Sequence, residues 1–296
     1  MSLDRPVNER AARTAVAQHA SPLGSWRMEF LAPAAPLAPF VRRFNAYAER
    51  DTGFLRRREL PSPLATLVFN LGSDLRVEHP LGTRTTYRAG AAFYSGMSST
   101  YAVTETDHAQ EGAQVMLTTL GARRLIGFPL DEVGDRLIDP GDLFGAAARD
   151  LATRLQETHS PAGRLAILEE EMTRRLALSR AEPSHDLVWA FRRLEATLGS
   201  IGVSALAKEL GCSRKHLTVR FRREFGVTPK LFARVTRFDH AVQLLRSKRV
   251  ASLADLACAC GYADQAHLTR DFSEFAGAPA AAFLRRKLPD EGGFVD

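Results

Sequence analysis

Cysteine is scarce in this sequence, and the few cysteines are not arranged to form a zinc site or a disulfide framework. The 296 residues include three cysteines, which are Cys212, Cys258 and Cys260. No two of them form a Cys-x-x-Cys pair, the spacing typical of zinc sites and redox motifs, and three cannot build a disulfide framework. We therefore interpret them as small apolar packing residues.

Long apolar runs are also missing. No stretch of 18 residues is apolar throughout, so no membrane-spanning helix is expected. The first 25 residues are polar and charged and lack the apolar segment of a secretion signal. We therefore expect a cytoplasmic protein in which residues 1–25 form a leader without regular structure.

Catalytic and metal-binding motifs are absent from the first half. Its histidines are His19, His79, His108 and His159, with no His-x-His pair to supply neighbouring metal ligands. There is no Gly-x-Ser-x-Gly nucleophile motif and no phosphate-binding glycine loop. These absences predict that the chain has no catalytic residues, no metal and no cofactor.

The charge is unevenly distributed along the chain. The net charge is +6. Residues 1–183 carry 22 basic and 22 acidic side chains, whereas residues 184–288 carry 18 basic and 9 acidic ones. A neutral first part and a basic second part indicate a polyanion-binding module attached to a part with another role.

The first two thirds of the chain change from a strand pattern to a helix pattern. Short alternating runs broken by Gly, Pro and Ser fill residues 26–125 and predict a small antiparallel barrel or sandwich, with one short helix at about 40–48. Residues 126–182 have helical periodicity. One apolar stripe there comprises Leu165, Leu168, Met172 and Leu176. This stripe could cover the sheet of its own chain, or it could form the seam of a homodimer.

The last hundred residues contain a repeated pattern with an offset of 51 positions. The equivalent positions are Leu217 and Leu268, Phe221 and Phe272, and Gly226 and Gly277. In each copy a short apolar helix meets a glycine turn, and a second helix begins at a capping residue, Ser213 or Asp264. Each second helix has one apolar stripe and leaves its other face free. Two such helix-turn-helix units can place two helices in the DNA major groove, which makes sequence-specific DNA binding the leading hypothesis.

A continuous helix is predicted between the two units. Gly226 ends the second helix of the first copy, Thr228 is the expected cap of the next helix, and Pro229 is its first residue. A helix from there to about Ser247 would be a rod of roughly 28 Å. Such a rod can hold two recognition helices about one DNA turn, ~34 Å, apart.

These last hundred residues resemble the AraC/XylS family of bacterial transcription regulators. The motifs that carry the resemblance are Ser213-Arg214-x-x-Leu217-x-x-x-Phe221, Gly226-x-Thr228-Pro229, and Gly261-Tyr262-x-Asp264-Gln265-x-x-Leu268-x-Arg270-x-Phe272. One departure is that Gly277-Ala278-Pro279 is one residue shorter than the family spacing, which affects the geometry expected after Phe275. The resemblance implies a tandem helix-turn-helix domain over residues 184–288, preceded by an effector-binding, cupin-like β-barrel.

The outward positions of the two recognition helices are the candidate DNA contacts. Positions that match family residues near base edges, or that can donate to or pack on bases, are Lys215, Thr218, Val219, Gln265 and Arg270. The expected phosphate contacts are Arg214, Arg222 and Arg223. His216 lies beside the core face and is interpreted as a hydrogen-bonded core histidine.

The predicted function is that of a DNA-binding transcription regulator controlled by a small molecule or partner bound to the N-terminal barrel. Aromatic residues that could line an effector pocket are Phe69, Tyr87, Phe93, Tyr94 and Tyr101. Double-stranded DNA is the principal expected partner, and RNA polymerase and a second copy of the chain are further candidates. Two alternatives stay open: a constitutive DNA-binding protein without an effector, and a cupin-type enzyme fused to a DNA reader. A DNA-alkylation repair sensor is disfavoured because the cysteine-rich front of such proteins is missing.

Overall fold

The computed structural model describes residues 5–21, 24–50, 53–78, 82, 84–133, 136–247, 250, 252–286 and 294–295. His79 lies outside these ranges. The strands are β1 (Thr14–Ser21), β2 (Gly24–Leu31), β3 (Val41–Arg50), β4 (Leu55–Glu59), β5 (Leu64–Asn70), β6 (Leu75–Glu78), β7 (Arg84–Tyr87), β8 (Ala92–Ser95), β9 (Ala102–Thr106), β10 (Glu111–Thr118), β11 (Leu137–Ile138) and β12 (Phe294–Val295).

The helices fall in three groups: one precedes the sheets, four follow β10, and seven make up the C-terminal part. They are α1 (Arg5–Ala12), α2 (Thr119–Ile126), α3 (Pro140–Phe144), α4 (Ala146–Glu157), α5 (Pro161–Leu178), α6 (His185–Ala196), α7 (Val203–Glu209), α8 (Arg214–Phe225), α9 (Pro229–Arg246), α10 (Leu253–Ala259), α11 (Gln265–Ala276) and α12 (Ala280–Arg286). A 3₁₀ turn covers Leu130–Glu132. Within the described residues, no helix combines the length and apolarity needed to cross a membrane.

The N-terminal part is rich in antiparallel sheet, as predicted, but its strands do not close into one barrel. They form a seven-stranded sheet in the order β1-β2-β3-β10-β5-β8-β11 and a five-stranded sheet in the order β12-β4-β9-β6-β7. Every pairing is antiparallel. Val68 and Phe93 of the larger sheet pack with Leu75 and Val77 of the smaller one, so the two sheets form a sandwich.

Strand β5 shows how the alternation of side chains builds two cores. Leu67 and Phe69 face α5 and its neighbouring helices, whereas Val68 packs toward Val77 of the smaller sheet. Because successive side chains of a strand point to opposite faces, one strand can contribute to both cores. At β5 the larger sheet is therefore buried on both faces.

The apolar stripe of α5 packs on the seven-stranded sheet of its own chain. Leu165, Leu168, Met172 and Leu176 are at most 7% exposed and belong to the same core as Phe44 of β3. They are therefore not available as the seam of a homodimer, and of the two interpretations of this stripe the intrachain one is correct. The periodicity alone could not distinguish them, because a sheet face and a partner helix both select an apolar stripe.

Two expectations for the N-terminal part were wrong. The range 1–25, expected to be a leader without regular structure, contains α1 and β1, and β1 pairs with β2 along its whole length. The range 40–48, expected to contain a short helix, lies mostly in β3, between β2 and β10. In both places pairing with a neighbouring strand supplies backbone hydrogen bonds that local sequence preference does not reveal.

The C-terminal helices surround one aromatic core. Phe191, Phe221, Phe225 and Phe232 pack together at one end, and Phe238, Phe272, Phe275 and Phe283 pack together at the other. Helix α9 provides a phenylalanine to each group. The same core includes Met97 and Leu120 of the N-terminal part, so the two parts share a packed interface.

Candidate nucleic-acid interface

Each recognition helix begins at the residue that the sequence predicts. The Ser213 hydroxyl accepts a hydrogen bond from the backbone N–H of His216, and the Asp264 carboxylate accepts one from His267. These caps satisfy N–H groups that have no partner inside a helix. They fix the start of α8 and α11, the ends that reach the base edges in helix-turn-helix complexes.

The two recognition helices bury equivalent stripes and expose equivalent faces. Their buried residues are Leu217, Phe221 and Phe225 in α8, and Leu268, Phe272 and Phe275 in α11. The candidate base contacts Lys215, Gln265 and Arg270 are exposed, and Thr218 is partly exposed. Val219 is 60% exposed, a high value for an apolar side chain. An exposed valine on this face is suited to contact a thymine methyl group.

The cations of the first recognition helix differ in whether they already have an acidic partner. Arg214, Arg222 and Arg223 are exposed, and none of them forms an ion pair with another residue that the structure describes. Arg220, in contrast, is paired with Asp186 of α6. Hydrogen bonds from Arg220 lower the pKa of Asp186, so this pair stays ionised at neutral pH. The unpaired arginines are the ones free to bind phosphate.

The link between the two units is one uninterrupted helix, as predicted. Helix α9 has 18 residues, which corresponds to about 27 Å. The Thr228 hydroxyl accepts from Leu231 N–H, Pro229 is the first helical residue, and Gly226 ends α8 with φ of 78°. This left-handed conformation favours glycine. The separation of the two recognition helices is therefore set by rigid structure.

The structure revises two individual interpretations, those of His216 and Cys258, and agrees with that of Cys260. His216 is exposed on α8 and is not a core histidine. Cys260 is buried, as expected for a packing residue, and burial raises its pKa to about 11, which keeps the thiol protonated at neutral pH. Cys258 is exposed and has no packing role of that kind. His216 and Cys258 each lie one position from a buried neighbour, where a small error in helical phase reverses the assignment.

The aromatic residues expected to line an effector pocket lie in three separate places. Phe69 and Tyr94 belong to the core between the larger sheet and the helices. Tyr87 and Phe93 stack on one another between the sheets, with ring centroids 4.3 Å apart. Tyr101 lies beside Gly277 of the C-terminal part. The guanidinium of Arg58, in β4, lies 4.7 Å from the centroid of the Tyr101 ring. These five residues do not form a common pocket, because strand alternation sends neighbouring aromatics to opposite faces.

A cavity of about 290 Å³ lies where the N-terminal part meets the first helix-turn-helix unit. Tyr94, Met97 and Leu130 line it from the N-terminal side, and Arg222 and Phe225 line it from α8. Most of the lining is apolar, and it carries one positive and one negative side chain, Arg222 and Asp131. Of the five aromatics named above, Tyr94 alone lines this cavity. The remaining lining residues come from β5, α2, several loops and the second part, so no local sequence pattern could identify the cavity.

Helix α9 contributes more than spacing to this face of the molecule. Lys230, Arg234 and Arg237 point to the same side of the helix, next to α11. These three residues are not among the candidate DNA contacts predicted from the sequence, because the helical pattern of their segment indicates only a spacer. The signal that could have found them is their spacing of four and three positions, which places three cations on one helical face. Among the described residues, no group of three or more His, Cys, Asp or Glu side chains is arranged to hold a metal ion.

Paired helix-turn-helix units with exposed basic faces, joined by a rigid helix, define a sequence-specific DNA-binding transcription regulator. A helix-turn-helix domain model matches residues 206–286, and a model described as a domain of unknown function (DUF6597) matches residues 29–139. The helix-turn-helix match covers the residues that carry the AraC/XylS motifs, so residues 206–286 form a DNA-binding domain of the AraC type. No curated protein matches the chain.

Several solved structures are similar in fold at low identity. ToxT from Vibrio cholerae is 10% identical, with a TM-score of 0.48 and coverage of 82% of this chain and 97% of ToxT. The C-terminal domain of AraT from Geobacillus stearothermophilus is 19% identical, with a TM-score of 0.34 and coverage of 37% and 92%. The AraC-like activator CuxR is 14% identical, with a TM-score of 0.33 and coverage of 81% and 91%. Likeness at this level carries no assignment of ligand or operator.

Proposed function

We propose that this regulator reads an operator with two half-sites on one face of the DNA, about one helical turn apart. The observation that carries the proposal is the equivalence of the two units. Each has a capped recognition helix with a buried stripe and an exposed face, and helix α9 joins them without a break. A DNA turn of ~34 Å is close to the length of that helix.

Within this arrangement we assign base contacts and phosphate contacts separately. Lys215, Thr218 and Val219 would read the first half-site, and Gln265 and Arg270 the second. Lysine and arginine donate to guanine, glutamine can pair with adenine, and valine can pack on a thymine methyl. The exposed Arg214, Arg222 and Arg223 would hold the backbone and set the register.

The test uses an operator selected from random DNA with the full-length protein. Lys215→Ala and Arg270→Ala should each relax specificity at different base pairs, about one turn apart, with a loss of ~1–3 kcal/mol each. Arg223→Ala is the control, because loss of a phosphate contact should weaken binding to all sequences equally. Overlapping base preferences for Lys215→Ala and Arg270→Ala would exclude the two-site arrangement.

The salt dependence of binding gives a second measure. If about six phosphates are contacted, the slope of log K against log salt should be near −5. A slope near zero would contradict a basic DNA-binding surface of this kind.

We further propose that a small molecule controls the regulator by binding in the 290 Å³ cavity between its two parts. The position of the cavity supports this, because Arg222 is both a lining residue and a candidate phosphate contact. An occupant with an apolar body and one acidic group would complement the lining if the acidic group lies at Arg222 and away from Asp131. Small aromatic and aliphatic acids should be titrated against thermal stability, with Met97→Trp as a variant that fills the cavity. A compound that raises the melting temperatures of the wild type and of Met97→Trp by the same amount does not bind in the cavity.

Two other outcomes would change the assignment. If no compound shifts the melting temperature or the operator preference, the chain is a constitutive DNA-binding protein. Metal analysis of the purified protein tests the alternative of a cupin-type enzyme.

We propose that the protein works in the cytoplasm, since its partner is DNA. Contact with RNA polymerase and formation of a homodimer remain predictions, and a dimer would have to use a surface other than the α5 stripe.

A further inference from the structure

A groove of about 440 Å³ lies between the linker helix α9 and the second recognition helix α11. Its walls are strongly charged. Helix α9 contributes Lys230, Arg234 and Arg237, and helix α11 contributes His267, Arg270, Asp271 and Glu274. The groove thus combines four Lys or Arg side chains with two carboxylates.

Both carboxylates are already engaged by one of these cations. The Arg234 Nη2 atom lies 2.7 Å from Asp271 Oδ1 and 2.6 Å from Glu274 Oε2. Arg234 also lies over the Phe275 ring, 4.7 Å from its centroid. These contacts fasten α11 to α9 and fix the width of the groove. One guanidinium against two carboxylates leaves this cluster with one net negative charge, against the three positive charges of Lys230, Arg237 and Arg270.

The remaining cations keep an uncompensated charge. Lys230 and Arg270 are exposed, and neither forms an ion pair with any residue in the described ranges. Arg237 is partly buried, donates to the Gly261 carbonyl oxygen at 3.3 Å, and lies 5.3 Å from the Tyr262 ring centroid. It therefore adds positive charge to the groove from a fixed position. An anion with several oxygen atoms is the complementary ligand.

The position of the groove indicates which anion this is. Helix α9 contacts α8 of the first unit as well as α10 and α11 of the second, so the groove lies between the second recognition helix and the helix that connects it to the first unit. When two recognition helices enter successive major-groove segments, the DNA backbone that separates those segments passes between them. Arg270 stands at the boundary, because it belongs both to the groove and to the exposed face that would meet the bases.

We propose that this groove, with Lys230 as its principal contact, binds backbone phosphates of the DNA between the two half-sites. Arg237 adds charge beside it, and Arg234 is a positioning residue that keeps α11 against α9. Helix α9 is then part of the DNA-binding surface as well as a spacer. The proposal rests on the two-half-site function proposed above and adds a contact that carries no base specificity.

The first experiment compares Lys230→Ala with Arg192→Ala in the full chain. Arg192 is exposed on α6 and lies outside the groove and the recognition helices, so its removal matches the charge change. On the selected operator, Lys230→Ala should weaken binding and reduce the salt slope by about 1, with unchanged base preferences at both half-sites. Arg192→Ala should leave the slope and the affinity as in the wild type. Equal slopes for Lys230→Ala and the wild type would overturn the proposal.

The second experiment locates the phosphate. Single neutral methylphosphonates replace each phosphate in turn across the operator, and binding is measured for the wild type and Lys230→Ala. A phosphate contacted by Lys230 should weaken wild-type binding when neutralised but have little further effect on the variant. We expect the phosphate that shows this coupling with Lys230 to lie between the two half-sites. Coupling at a phosphate outside that interval would overturn the assignment of the groove.

The two experiments also separate this inference from the proposed function. If the wild type selects no operator, or selects a single half-site, the two-site function fails and the groove assignment fails with it. If the wild type selects two half-sites and Lys230→Ala behaves like Arg192→Ala, the function stands and the groove assignment alone is wrong.

Discussion

Single glycines show how the same backbone conformation can have different consequences at different places. Gly211 and Gly277 both have φ near +60°, at 63° and 61°. A Cβ at Gly211 would meet no atom within 4 Å, whereas a Cβ at Gly277 would lie 2.4 Å from the Tyr101 ring and 2.6 Å from Arg58 Nη1. The first glycine is needed for its conformation alone, and the second also for the approach of the N-terminal part.

We therefore expect unequal effects when alanine replaces each glycine. Gly211→Ala should cost about 1 kcal/mol, the usual penalty for a left-handed residue with a Cβ. Gly277→Ala should cost about 1–3 kcal/mol more, because Tyr101 and Arg58 must move. Thermal melts of the two variants under one set of conditions measure the difference. Equal melting temperatures would show that the Tyr101 contact does not constrain α11.

At the scale of secondary structure elements, capping and periodicity made the C-terminal helices predictable. Ser213, Thr228 and Asp264 begin helices as their sequence context indicates. The N-terminal part was harder, because strands depend on partners far along the chain. Strand β3 is the clearest case: Phe44 and Tyr47 also fit a helical pattern, and its pairing with β10 is what determines its conformation.

The α5 stripe gives a test at this scale. Leu168 is fully buried, whereas Leu178 at the end of the same helix is 68% exposed. Leu168→Glu should destabilise the protein by several kcal/mol, because it places an unpaired carboxylate in the core. Leu178→Glu makes the same chemical change on the surface and should have little effect. Circular dichroism melts and light scattering distinguish the results, and a folded monomeric Leu168→Glu variant derived from a dimeric wild type would restore the seam interpretation.

At the scale of the whole molecule, the N-terminal part holds both recognition helices at their C-terminal ends. Arg58 of β4 donates to the carbonyl oxygens of Ala276 at 3.1 Å and Gly277 at 2.8 Å, where α11 ends. Arg123 of α2 lies 2.7 Å from Glu224 in the last turn of α8. None of these contacts could be predicted, because each joins residues from distant segments whose local patterns give no sign of the partner. A ligand between the two parts could act on α8 and α11 through them.

Two ion pairs join the N-terminal part to the C-terminal part, and a comparison of them measures how strongly the two parts are held together. Arg123 and Glu224 are 10% and 16% exposed, whereas Arg42 and Glu195 are 59% and 31% exposed and 3.6 Å apart. Burial raises the pKa of Glu195 despite the attraction of Arg42, which indicates that the second pair is weak. In the first pair, Arg123 also offsets an acidic residue at a helix C-terminus, where the helix dipole disfavours negative charge.

Removal of the two arginines should therefore affect the molecule to different extents. Arg123→Met removes the cation that contacts the largely buried Glu224 and leaves only the electrostatic attraction of Arg220, and we expect a loss of about 3 kcal/mol. Arg42→Met removes an exposed pair and should cost less than about 1 kcal/mol. In scanning calorimetry, Arg123→Met should also separate the unfolding of the two parts into distinct transitions, because the contact that it removes joins them. A single unshifted transition for Arg123→Met would mean that the other contacts, which include Met97, Leu120 and the 3₁₀ turn at Leu130, are enough to hold α8 against the N-terminal part.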